Sequence, residues 1–154
     1  MKNRITEEKL DIDEIETDRL VLRPLGLSHL SNNYVAWLND PEVAKYISHA
    51  GDYDIKRLEI YLQEVEKKHI YFWAIHLKKE GNHIGNIKID PINMHNGLGS
   101  YGIMMGEKSE WNKGYAQEAS LRVIDFCFKN IVLRKITLEV ILNNKPAVAL
   151  YKKI

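Results

Sequence analysis

A single α/β domain, a mixed central sheet flanked by helices, is the fold class this sequence predicts, and three observations carry the expectation. An aromatic and β-branched stretch near the middle of the chain reads as a β-hairpin. Apolar residues at helical spacing precede it. After it the chain runs strand, helix, strand at lengths that suit a crossover between parallel strands. At 154 residues the chain is long enough to bury one sizeable core.

Leu20-Val21-Leu22-Arg23-Pro24-Leu25 is expected to be the first strand, closed by a proline that cannot donate to a ladder. Ser28 is the expected N-cap of a short helix carrying Leu30, Tyr34 and Trp37. Pro41 suits the first turn of another short helix, running through Tyr46-Ile47. Ile55, Leu58, Tyr61, Leu62 and Val65 mark the apolar stripe of a longer helix. Its other face, with Lys56, Arg57, Glu59, Glu64, Glu66 and Lys67, reads as solvated. Residues 70–77 and 83–89 are the two hairpin strands, and residues 91–99 a polar connection. Residues 100–105 form a further strand, in which Gly102 suggests a bulge or a close approach of backbone. A helix follows over residues 115–129, with Ala116, Ala119, Val123, Ile124 and Cys127 on its buried side, joined by Phe126 and Phe128, and Asn130 as terminator. Residues 135–141 are the last strand.

The formal charge of +1 and the absence of a basic stripe argue against a nucleic-acid partner. No apolar run approaches the ~18 residues of a membrane span, and residues 1–17 lack the apolar core of a signal peptide, so a cytoplasmic protein is expected. Cys127 has no neighbour at zinc-ligand spacing and reads as a buried thiol; no metal is expected. Trp37, Tyr46, Tyr53 and Trp73 read as core before they read as pocket lining.

The run Trp111-Asn112-Lys113-Gly114-Tyr115-Ala116 stands where strand passes into helix. The first N–H groups of a helix lack intrahelical acceptors, and the helix dipole makes that end partly positive. An anion can dock there if no side chain obstructs the backbone, and Gly114 and Ala116 keep it open while Lys113 adds a cation. By itself this is a weak signal for a pyrophosphate site, because a tight turn with a surface lysine has the same pattern.

Together with strand Gly102-Ile103-Met104-Met105 and the following Gln117-Glu118-Ala119, the turn resembles the signature of the GNAT acetyltransferase superfamily. It is most similar to the ribosomal-protein-acetyltransferase-like, RimJ/RimL-type branch, whose usual form is Trp-Gly-Lys-Gly-Tyr-Ala-x-Glu-Ala. Thr17-Asp18-Arg19-Leu20-Val21-Leu22-Arg23-Pro24-Leu25 is similar to the branch's opening strand. Asn144-Lys145-Pro146-Ala147-Val148-Ala149-Leu150-Tyr151-Lys152-Lys153 resembles its late Asn-x-x-Ala-x-x-Leu-Tyr-x-Lys motif. The likeness spans residues 16–154 and leaves residues 1–15 as an N-terminal extension. Asn112 departs from the usual glycine. The chain ends at Ile154, where the family continues with Gly-Phe and two strands, so a domain truncated at its C-terminus is expected.

The resemblance implies acetyl-CoA as co-substrate, held where two central strands splay, with its pyrophosphate on the N–H groups of Trp111, Asn112, Lys113, Gly114, Tyr115 and Ala116. Pantetheine would pair with the backbone of Ile103, Met104 and Met105; Asn144 fits a contact to CoA or a helix cap. Tyr151 occupies the general-acid position. Glu107, Glu110, Glu139 and His95 are near enough in sequence to be weighed as the base, each reading more simply as a surface or structural residue. Arg122, Lys152 and Lys153 are candidates for the ribose phosphate. The implied reaction is direct attack of a primary amine in a ternary complex, the acceptor being a protein N-terminus or a small amine such as an amino sugar, polyamine or antibiotic. Homodimerisation is left open. The competing reading is a non-catalytic acyl-CoA-binding or regulatory module.

Overall fold

The computed structural model describes residues 12–45, 50–68, 70–131 and 133–137. Among these, strands β1 (Ile15–Glu16), β2 (Leu20–Pro24), β3 (Tyr71–Leu77), β4 (His83–Asn93), β5 (Leu98–Met105) and β6 (Lys135–Thr137) form one sheet in that spatial order. Neighbours are antiparallel except β5 and β6, which are parallel. Helix α4 (Tyr115–Phe126) connects those two, so the expected hairpin and the expected strand–helix–strand unit are both present.

β3 lies in the middle of the antiparallel part and is buried on both faces, which is why it is written almost without polar residues. Trp73, Ile75 and Leu77 point to one side, where Leu20, Leu22, Ile87, Ile89 and the α4 residues Ala119 and Val123 complete a core. Phe72 and Ala74 point to the other, against α1 (Asn32–Asn39) and α3 (Ile55–Lys68), which bury Tyr34, Trp37, Leu58, Leu62 and Val65. Trp37, Tyr53 and Trp73 are therefore core residues. The charged face of α3 is largely solvated, but Glu66 turns back and accepts the Leu27 N–H at 2.8 Å.

Several local expectations are corrected. Residues Leu27–His29 form a separate 3₁₀ turn, and α1 is capped by Ser31, whose hydroxyl accepts the Tyr34 N–H at 3.1 Å. Ser28 lies outside the helix because Leu30 and Ser31 are extended. Pro41 does open α2 (Pro41–Ala44), capped by Asp40. β4 continues to Asn93 through what was expected to be loop. A register shift between Ile89 and Ile92 brackets Pro91, which lacks the N–H a regular ladder needs. Gly102 sits in regular register opposite Lys88, with no bulge. Phe128 is exposed, because α4 passes into a π-helical turn at Cys127–Ile131 that shifts the face downstream and carries the helical path past Asn130. Ile55, at the start of α3, is also exposed. Tyr46, Ile47 and residues 138–141 lie outside the described residues.

Candidate active site

β6 reaches only residues 98–100 of β5. Beyond them, among the described residues, β5 is paired on its β4 side alone. The direction of its backbone groups follows from the antiparallel alternation. Gly106 N–H donates to the Ile84 carbonyl at 2.9 Å, which makes that the hydrogen-bonded type of pair. Met104 opposite Asn86 is then the same type, while Ile103 opposite Ile87 and Met105 opposite Gly85 turn their N–H and C=O groups away from β4. One of those groups is used internally: the Trp111 indole N–H donates to the Met105 carbonyl at 2.9 Å and folds the following loop onto the strand end. Ile103 and Met105 side chains pack on the α4 side of the sheet and Met104 on the other.

The turn after β5 has two residues in the left-handed region, Asn112 (φ 66°) and Gly114 (φ 85°). Asparagine is among the few non-glycine residues that tolerate that conformation, so Asn112 satisfies the backbone demand that a glycine would meet. Gly114 is the N-cap of α4 with no capping side chain, and its carbonyl accepts the Glu118 N–H at 3.0 Å. The N–H groups of Tyr115, Ala116 and Gln117 thus precede the first intrahelical donor. A left-handed residue followed by a helical one curls successive N–H groups into a concavity, here those of Gly114, Tyr115 and Ala116. A Cβ at Gly114 would meet only the Arg19 guanidinium, at 3.4 Å, so the cradle is open. Lys113 is half exposed and pairs with Glu110 at 3.0 Å, a hydrogen bond that raises its pKa. Open donors, a dipole end and a cation fit a pyrophosphate.

Behind the turn lies an arrangement that sequence reading missed. Arg19, at the head of β2, donates Nε to Glu118 Oε1 at 2.7 Å and Nη1 to the Lys113 carbonyl at 3.0 Å, and its guanidinium covers the Tyr115 ring at 4.3 Å. Glu118 Oε2 also accepts from the Arg19 N–H and the Thr17 hydroxyl. Burial works against the Glu118 charge, but these donors outweigh it and hold its pKa below the usual value. Both residues stood within recognised motifs, yet nothing in the sequence pairs positions 19 and 118.

A second unforeseen cluster sits at the other face of the sheet. Gly26 N–H donates to His29 Nδ1 at 3.3 Å, so His29 carries its proton on Nε2 and gives it to His76 Nε2 at 3.0 Å. His76 then holds its proton on Nδ1, toward the Gly81 carbonyl. His83 donates Nε2–H to Asn86 Oδ1 at 2.7 Å. His76 and His83 are stacked at 5.3 Å, and Trp37 packs edge-on against His83 at 4.9 Å. Burial, reinforced by the neighbouring imidazoles, pushes His76 and His83 down to about 4, and burial also lowers His29. Among the described residues no group of three or more His, Cys, Asp or Glu is placed to hold a metal ion, and no helix is long and apolar enough to cross a membrane.

The other sequence candidates separate. Arg122 is held by the Glu16 carbonyl at 3.2 Å, His95 is exposed in the turn between β4 and β5, and Glu110 is paired with Lys113. Glu107 lies just beyond β5. Asn144, Tyr151, Glu139, Lys152 and Lys153 are outside the described residues.

The acetyltransferase (GNAT) domain family model matches residues 19–154. A Bacillus licheniformis protein named as an uncharacterized N-acetyltransferase, p20, is 27% identical over 147 residues, covering 93% of this chain and 82% of that protein. Among solved structures, a GNAT-family acetyltransferase from Bacillus anthracis superimposes with a TM-score of 0.81 at 20% identity, over 92% of this chain and 81% of that one. Spermidine N-acetyltransferase from Vibrio cholerae, solved with CoA and spermine, gives a TM-score of 0.76 at 23% identity, over 89% of this chain and 80% of that one. At such identities the solved structures speak to the fold alone.

Proposed function

The chain belongs to the acetyltransferase (GNAT) domain family, and from that premise we propose that it transfers an acetyl group from acetyl-CoA to a primary amine. The observation that carries this reading is that two backbone surfaces are tied together. Ile103 turns its N–H and C=O and Met105 its N–H away from β4, and Trp111, bound to the Met105 carbonyl, joins that strand end to the loop that runs into the open donors of residues 114–116. A strand edge suited to pantetheine amides and an anion cradle suited to a pyrophosphate lie in the order that one CoA molecule requires. Within the family we assign the chain to the RimJ/RimL-type branch on its three motifs. The similarity to a polyamine acetyltransferase makes small amines and polyamines the first acceptors to try, beside protein N-termini.

When bound, acetyl-CoA supplies the activated acyl group. The outward N–H of β5 polarises the acyl carbonyl, a preorganised donor where negative charge develops. Tyr151 would give its phenolic proton to the departing thiolate sulfur as the neutral amine forms the new C–N bond and the C–S bond breaks. The proton then shed by the amine nitrogen would pass to solvent, which would return one to the Tyr151 phenolate. Trp111 holds the end of β5 against the turn, so that the carbonyl-polarising groups and the anion cradle keep one spacing.

Thermal unfolding with and without acetyl-CoA tests the binding half. Ligand at 100 times its Kd adds about 2.7 kcal/mol of stability, and an unchanged melting temperature at millimolar ligand refutes it. Thiol release across spermidine, amino sugars and short peptides tests the transfer. Tyr151→Phe is expected to lower turnover by about 10²-fold or more while leaving the thermal shift; unaltered turnover removes Tyr151 as the acid.

A further inference from the structure

We propose that Arg19 is a positioning residue for CoA, acting by fixing the orientation of the Lys113–Gly114 peptide; the inference rests on the CoA reading above. In a trans peptide the C=O and the following N–H point in opposite directions. Arg19 Nη1 binds the Lys113 carbonyl at 3.0 Å, so the Gly114 N–H is turned away from the guanidinium. That N–H is the first of the three in the cradle formed by the left-handed Gly114 and the helical Tyr115. The peptide needs such a hold, because Gly114 on its C-terminal side gives it freedom. Gly114 occupies the left-handed region, and glycine crosses between φ regions at little cost. A rotated Lys113–Gly114 peptide would present a carbonyl oxygen where an anion is to sit.

Arg19 is itself held in place. Glu118 takes its Nε and its backbone N–H, Thr17 adds a third bond to the same carboxylate, and the Tyr115 ring lies under the guanidinium. The Arg19–Glu118 pair also brings no net charge to the back of the cradle. The first turn of α4 thus carries a carboxylate whose repulsion toward an incoming anion is offset by its partner. Lysine at position 19 would reach the Glu118 carboxylate or the Lys113 carbonyl, but its single ammonium lacks the planar fork that bridges both.

The test compares the full chain with its Arg19→Gln and Arg19→Lys variants by calorimetry with CoA and by the ¹⁵N–¹H resonance of Gly114. Arg19→Gln is expected to weaken CoA about 10- to 100-fold, the worth of one hydrogen bond to an ionised group. Arg19→Lys is expected to fall between it and the unaltered chain. The Gly114 amide is expected to move downfield on CoA addition in the unaltered chain and to stay in place in Arg19→Gln. S-acetylpantetheine, which lacks the pyrophosphate, is expected to be used equally by all three. Equal CoA affinity in the unaltered chain and Arg19→Gln overturns the proposal, as does a parallel loss with S-acetylpantetheine, which would mark a general structural role. Should Arg19→Gln fail to fold, Arg19→Lys decides alone: CoA affinity equal to that of the unaltered chain overturns the inference. An unaltered chain that binds no CoA refutes the functional reading instead.

Discussion

Lowering the pH from 7 to 5 is expected to remove about 4 kcal/mol of stability through the histidine cluster, and the size follows from the geometry. His29, His76 and His83 are linked as neutral rings, and the single proton between His29 Nε2 and His76 Nε2 serves both. A second proton would set two N–H groups against each other at 3.0 Å and place charge in a site lined by Tyr34 and Trp37. An unfolded histidine, with a pKa of ~6.5, is almost fully protonated at pH 5. His76 and His83, held down to about 4 in the fold, are protonated there only to about one tenth. The unfolded state therefore binds more protons, and stability falls as pH drops from the unfolded value toward the folded one. Each ring contributes ~2 kcal/mol between pH 7 and 5, and His29, lowered by burial, adds in the same direction. Asp40 and Glu118 do not confuse the window. Both are held below the usual carboxylate range, so their stabilisation is lost only as the pH falls below about 4.5. Urea unfolding followed by tryptophan fluorescence at the two pH values measures the difference, and NMR titration of the imidazoles locates it. A stability unchanged within ~1 kcal/mol, or native imidazoles titrating near 6.5, would sink the neutral-cluster account.

Three substitutions test the packing and the helix boundary that set up the site. Gly106→Ala would place a Cβ 2.0 Å from the Trp37 ring, and that ring is buried between Tyr34 and His83. A loss of about 1–3 kcal/mol is expected in denaturant unfolding. A neutral result would mean that Trp37 does not abut the end of β5. Ser31→Ala should cost ~1 kcal/mol through loss of the α1 cap, whereas exposed Ser28→Ala should cost no more than about 0.5 kcal/mol. The reverse ranking would restore the boundary expected from the sequence.

Much of the fold was legible because its signals are local. β3 is apolar at every position but His76 since it is buried on both faces, and the stripe of Leu58, Leu62 and Val65 repeats at helical spacing. The errors fall where neighbours override local preference. Ser28 and Ser31 are equally good caps by composition; the extended backbone at Leu30 and Ser31 decides between them. Pro91 opens what reads as a polar connection, yet the shift of register between Ile89 and Ile92 lets β4 continue opposite β5. Gly102 reads as a bulge or close approach inside a strand, but a Cβ lacks room instead at Gly85, against the Met104 carbonyl, at Gly99, against Leu133 and Ile89, and at Gly106, against Trp37. Those demands come from residues distant in sequence or across the sheet, and no local pattern encodes them.

The site divides along the same line. The uncapped turn before α4 was readable from Gly114, Lys113 and the helix that follows, because its N–H groups belong to consecutive residues. Its bracing was not, since Arg19 and Glu118 are 99 positions apart and each has an ordinary reading alone. The exchange of glycine for Asn112 looks like a narrowing of the turn when only side-chain size is weighed. The backbone gives it a different meaning: at φ 66° the position demands left-handed geometry, and asparagine is among the few side chains that supply it. The requirement at this position is thus a torsion angle before it is an empty space. The Lys113–Gly114 peptide held by Arg19 shows the same priority, because what it would offer an anion is the direction of one N–H.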